Sequence, residues 1–255
     1  SSHNLIGYKE GITKPDEYLI FMAHWDHLGI NDELTGDQIF NGAADNAAGV
    51  AAVIELARKF DQVQTERSII FTALTLEESG LLGSAYLAEN PPVDLANVVA
   101  GFNFDRVLPT GKTKDMAVIG YGASELEDYL EEELEKQGRY INPDPNPEKG
   151  YFYRSDHISF AKKGVPVLYS DDGFDLEDGG IEKGFNEIYD YTNFRYHGVK
   201  DEYDPSWNLE GFEQTIDTIF NISLDLSNSS DWPNWYEGNE FRATRDAQLS
   251  LKNTP

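Results

Sequence analysis

Three short apolar runs, at residues 18–23 (YLIFMA), 68–76 (SIIFTALTL) and 98–104 (VVAGFNF), constrain this chain more than anything else in it. Each is nearly continuous rather than alternating, the pattern of a strand buried on both faces. Stretches with helical spacing separate them. Residues 46–60 place Val50, Val53, Ile54 and Ala57 at such a spacing, and 81–89 form a second helix that Pro91 and Pro92 stop. Strands alternating with helices predict an α/β fold with a mostly parallel, mixed central sheet and helices on both faces.

Further along, 116–121 and 165–169 read as strands. Residues 124–137 read as an acidic amphipathic helix with Ser124 as its cap and Glu127 at the capping-box position. Residues 32–40 and 142–150 read as loops, 151–160 as the entry to a helix, 209–226 as a late helix, and 232–249 as an aromatic, mixed-charge tail. The 171–204 stretch is acidic, rich in Gly and Tyr, and too long for a simple connection, so it is a candidate functional loop. No repeat, linker or boundary interrupts the chain, which gives one domain over 1–255.

A formal net charge of −26 argues against nucleic acid as a partner, because a phosphate backbone would be repelled. The same charge suits cationic substrates or divalent ions. No apolar run approaches the roughly 20 residues needed to cross a bilayer, and residues 1–7 do not resemble a signal peptide. Cysteine is absent, which leaves His and carboxylates as the only strong metal ligands.

Ligands of open α/β sheets bind beyond the carboxyl ends of the strands. Here those ends carry His24 and Asp26, Glu77 and Glu78, and Asp105, while Asp45 opens the intervening helix within GAADNAAG at 42–49. Singly these are a surface His, an acidic turn and a helix cap, a role Asn46 could also fill. Jointly, on one sheet edge, they point to a metal centre. On that reading Asp26, two residues from His24, can accept the other ring N–H and fix the tautomer. His27 is the less attractive ligand because it points away from His24. Glu77 and Glu78 are adjacent and cannot share a role: one can bind metal and the other can take the proton of an attacking water.

HWDH, GAADNAAG, LEESGLLGS, NFD, RSDH and the late YHGVKD, in that order from about Asn4 onward, resemble the two-zinc aminopeptidases of metallopeptidase family twenty-eight. That family also holds glutaminyl cyclases and catalytically silent relatives. The resemblance implies a zinc-exopeptidase fold and two Zn²⁺ ions. One would be held by His24, Asp105 and Asp45, the other by Glu78, His197 and the shared Asp45. It further implies Glu77 as general base, Tyr196 as oxyanion stabiliser, Arg154 as a substrate contact, and a peptide with a free N-terminus as substrate. His157 in RSDH competes with His197 for the last ligand position; the resemblance favours His197, and spacing does not decide. An extracellular or periplasmic location follows from the resemblance alone, as does a protease-associated domain or leader preceding residue 1 in related chains. Trp25, His27 and the lack of Cys beside the last His depart from many relatives.

Overall fold

In the computed structural model, which describes residues 1–252, the first apolar run forms the inner part of β2 (Lys14–His24). The sheet around it is built from β1 (Leu5–Lys9), β5 (Arg67–Leu74), β6 (Val98–Asn103), β7 (Asp115–Val118), β8 (Tyr140–Pro143) and β9 (Val167–Asp172). Its order is β1-β5-β2-β6-β9-β7-β8. β5, β2, β6 and β9 run parallel, β1 is antiparallel to β5, and β7 runs antiparallel to β9 but parallel to β8. The mixed, mostly parallel sheet is thus as the sequence predicts. A two-stranded ribbon, β3 (Gly29–Ile30) with β4 (Ile39–Phe40), sits apart from it.

Alternation along β2 divides the core. Leu19, Phe21 and Ala23 face α1 (Ala48–Asp61), α3 (Leu126–Lys136) and α6 (Glu210–Ser227), packing with Leu56, Phe60, Leu130, Ile219 and Leu226. Tyr18, Ile20 and Met22 face the other way, toward Leu87 of α2 (Leu82–Glu89) and Phe160 of α4 (His157–Ala161). Both sheet faces are therefore covered, which explains why the central strands read as unbroken apolar runs. The buried stripe of α1 is Ala52, Val53, Leu56 and Phe60, whereas Ile54 is exposed.

The expected helix at 124–137 forms, but its cap works from one side only. Glu127 reaches back to accept the backbone N–H groups of Gly122, Ala123 and Ser124, and no side-chain cap bond comes from Ser124. The 171–204 stretch is not the long loop the sequence predicts. It completes β9 and then forms α5 (Gly180–Phe194), whose Ile181, Phe185, Ile188 and Tyr189 recur at helical spacing within the Gly- and Tyr-rich stretch. The tail at 232–249 likewise carries α7 (Arg242–Lys252), and its Trp235 is fully buried beside Phe241. β1 escaped a periodicity reading because four of its five residues are exposed at the sheet edge. No helix among the described residues is long and apolar enough to cross a membrane.

Candidate metal centre

β2 and β5 stop in register, with His24 opposite Leu74, so the residues just beyond them meet at one edge of the sheet. β6 ends at Asn103 beside them, which brings Asp105 to the same edge. Asp45 arrives from an irregular turn, Ala43–Ala47, that precedes α1. The capping role falls to its neighbour: Asn46 Oδ1 accepts the N–H of Gly49 at 3.0 Å, and its amide nitrogen donates to the Phe104 carbonyl. Asp45 is thereby left with its carboxylate free for the site.

That carboxylate is 4 % exposed and lies between two imidazoles, with Oδ1 3.2 Å from His24 Nε2 and Oδ2 3.2 Å from His197 Nε2. His24 Nε2 is also 3.3 Å from Asp105 Oδ1, and His197 Nε2 is 3.1 Å from Glu78 Oε2. A tetrahedral ion with bonds of about 2.0 Å separates its ligands by about 3.3 Å. All four contacts match that edge length. Asp45 Oδ1 is buried and lacks a hydrogen-bond partner, as expected of an atom shaped to face a cation. The residues therefore fit zinc, with Asp45 placed between the two imidazoles. His24, Asp45 and Asp105 offer donor atoms within 4.8 Å of one another, and His27, Asp45 and Glu78 form a second such group.

The electrostatics point the same way. Burial alone would disfavour charge on His24, yet hydrogen bonding to Asp105 and Asp45 outweighs it and raises its pKa. Burial opposes the charge on Asp45 too, but His197 and His24 hold it below the usual carboxylate range. His197 is raised to about 10 by Asp45 and Glu78. Glu78 is lowered to about 2, its burial outweighed by His197 and His27. Glu77 goes the other way: burial and the negative charge of Asp105 push it up to about 9. Four carboxylates crowded on two imidazoles are a donor set that divalent cations would relieve.

Asp26 differs from the sequence expectation. The His24 Nδ1–H donates to the Asp26 backbone carbonyl at 3.1 Å, whereas the carboxylate Oδ1 is 3.8 Å away. The carboxylate instead accepts the backbone N–H groups of Glu77, at 3.0 Å, and Glu78, at 3.3 Å. Two preorganised backbone donors suit a carboxylate better than one ring N–H that the chain's own carbonyl already satisfies. Asp26 thus positions the Glu pair directly.

The two competing histidines part company. His197 is at the site, with the Tyr196 ring stacked on it at 3.9 Å between centroids. His157 is fully buried between Phe152 and Tyr169, 4.8 Å from each ring, and burial lowers its pKa to about 3. Its folded pKa lies below the ordinary 6.5, so the stability it contributes is complete above pH 6.5. That contribution is lost as pH falls toward 3, at up to about 1.4 kcal/mol per pH unit. Denaturant melts of His157→Leu across that window should show a shallower acid loss than the parent chain.

Sequence reasoning used Asp201 only as a motif letter. In the structure it is a clamp: its two carboxylate oxygens accept the N–H groups of Ala44 and Asp45, at 2.9 and 3.0 Å, and Oδ2 also accepts Tyr191 Oη–H at 3.1 Å. Asp156 is fully buried with neither oxygen partnered. Beside the metal-side cavity of about 60 Å³ lies a larger one of about 460 Å³, and the two share Arg106, Ile119, Tyr151, Asp171 and Thr192. Arg106 Nη2 donates to Asp171 Oδ2 at 2.6 Å where they join. Arg154 lines the smaller cavity with its guanidinium over the Tyr151 ring. The larger cavity takes Phe174, Phe185, Ile188 and Tyr189 from the 171–204 stretch.

Comparison with known proteins places the chain in a family. The chain is 36 % identical over 104 residues to a probable zinc metalloprotease of Pyrenophora tritici-repentis, a match covering 40 % of this chain and 24 % of that protein. It is 32 % identical over 110 residues to aminopeptidase YwaD of Bacillus subtilis, covering 42 % and 22 %. Among solved structures, the aminopeptidase from Aneurinibacillus sp. strain AM-1 superposes with a TM-score of 0.65 at 20 % identity, over 91 % of this chain and 49 % of that one. The glutaminyl cyclase of Porphyromonas gingivalis gives 0.62 at 19 % identity, over 88 % and 77 %. The matches thus span about a quarter of these curated relatives and about half of the Aneurinibacillus aminopeptidase. Residues 4–223 match Peptidase family M28, and the chain belongs to that family.

Proposed function

We propose that this chain is a two-zinc aminopeptidase that removes N-terminal residues from peptides. The observation that carries it is Asp45, whose two oxygens each lie 3.2 Å from a different imidazole. His24, Asp105 and Asp45 would hold one ion, and His197, Glu78 and Asp45 the other. Zinc bound there would supply Lewis acidity and a water acidified toward neutral pH.

The chain's own groups do the rest. Glu77 accepts the proton of the attacking water and returns it to the leaving amine. Its backbone is fixed by Asp26, so its carboxyl stays aimed at the cavity it lines. Tyr196 keeps its proton, since burial and the negative charge of Asp45 raise its pKa, and it can donate to the oxyanion that forms at the peptide carbonyl. The carboxylates attract a free amine, which is why a blocked N-terminus should not react. The larger cavity would receive the N-terminal side chain, and Arg154 would contact the substrate backbone. An extracellular or periplasmic setting belongs to the same proposal.

A glutaminyl cyclase, which the family resemblance implies would hold a single zinc, is the rival, and one structural neighbour is a glutaminyl cyclase. His24 beside both Asp45 and Asp105 argues for the first ion and against that rival. The test combines zinc analysis with a panel of free and N-blocked aminoacyl amides. Two zinc ions and turnover of free amines alone are expected; one zinc with cyclisation of glutaminyl peptides would replace the aminopeptidase reading. In the same assay His197→Ala should lose one ion while His157→Leu keeps both. The opposite result would exchange the two histidines' roles.

A further inference from the structure

We propose that His27 is a third imidazole ligand of the centre, bound with Glu78 and Asp45 to the same ion as His197. The proposal rests on the two-ion reading above. His27 follows the end of β2, where Trp25 points into solvent with about half its surface exposed. The His27 side chain, by contrast, is 8 % exposed, and neither ring nitrogen has a hydrogen-bond partner. Nδ1 lies 2.8 Å from Glu78 Oε1, an oxygen that is itself buried without a hydrogen bond. The contact is short, but the ring N–H does not point along it.

A hydrogen bond requires the N–H to aim at the acceptor. A shared cation does not. Two ligand atoms 2.8 Å apart with bonds of about 2.1 Å subtend roughly 85° at the ion, so the nitrogen lone pair aims about 50° off the N···O line. A short contact with a misdirected ring plane is the signature of the second arrangement. A nitrogen of His27 and oxygens of Asp45 and Glu78 also lie within 4.8 Å of one another.

The ring is held in this pose. Gly42, at φ +63°, lies against it so closely that a Cβ there would come 2.6 Å from His27 Cγ. On another side the His197 ring meets it edge-on, with centroids 5.7 Å apart.

Two unlike sites follow. One ion would have His24, Asp105 and Asp45; the other would have His27, His197, Glu78 and Asp45. Imidazole favours zinc over the harder divalent ions, so the second ion should be the tighter and the more zinc-selective. A chelator should then remove zinc in two steps, taking the Asp105-side ion first.

The experiment uses the chain loaded with Co²⁺ and read by proton NMR. Every Co²⁺-bound imidazole contributes one paramagnetically shifted N–H signal that vanishes in D₂O. Three such signals are expected, and one should be lost in His27→Gln. That variant keeps an amide donor for Glu78, so it separates ligation from hydrogen bonding. Zinc competition with a chromophoric chelator should show the tighter ion weakened beyond the roughly 10–100-fold that an outer partner costs. Two signals that His27→Gln leaves unchanged, with two ions still bound, would overturn the proposal and spare the two-ion reading. If one ion binds, the two-ion reading fails, and His27 is judged separately by whether its signal is among those present. Circular dichroism of His27→Gln and His27→Ala checks that both fold.

Discussion

Glu77→Gln is expected to lower kcat by roughly 10²–10⁴-fold, the contribution typical of a positioned general base, with both zinc ions still bound. The reasoning is geometric. The contacts of 3.1–3.3 Å that match ligand–ligand edges join His24, Asp45, Asp105, Glu78 and His197. Glu77 stands outside that set, with Oε2 3.9 Å from His24 Nε2. Its burial, and the push of Asp105 that raises it to about 9, mark a carboxyl that readily holds a proton. Glutamine keeps the shape and removes only the basicity. Single-turnover rates and zinc content on one preparation settle it: near-normal turnover moves the base elsewhere, and loss of a zinc makes Glu77 a ligand.

Asp45→Asn should cost both ions at once, where loss of any other carboxylate should cost one. An amide offers a weaker oxygen and a nitrogen that cannot ligate, and Asp45 is the group that faces both His24 and His197. The fold should survive, because the first turn of α1 is capped by Asn46 and not by Asp45. Zinc analysis after gel filtration, with far-ultraviolet circular dichroism alongside, is the measurement. Retention of one zinc per chain would mean that the ions do not share this carboxylate.

Much of this centre was legible because strand ends in a parallel sheet converge on one edge. His24, Glu78 and Asp105 are each placed by the strand that precedes them, and those strands announce themselves as apolar runs. His197 has no such strand: it follows the helix α5 and sits in the left-handed region at φ +54°. Only the resemblance of the YH stretch singled it out over His157. Period-2 spacing places Asp26 beside His24 without saying which hydrogen bond wins there, and its carboxylate goes to the backbone of Glu77 and Glu78. The same alternation points His27 away from His24, and its Nδ1 lies instead 2.8 Å from Glu78 Oε1. Asp201 lay beyond local reasoning, since its partners are 156 and 157 residues away.

That clamp also bears on how the protein is made. Ala44 and Asp45 precede by more than 150 residues the carboxylate that fixes their backbone and the His197 beside it. As the chain leaves the ribosome, the Asp45 turn waits for more than 150 residues before Asp201 exists to hold it. Contacts so distant in sequence close slowly. The sheet edge can therefore gather before the Asp45 turn is clamped, and on the two-zinc proposal zinc capture at Asp45 would be a late event in the life of the nascent chain.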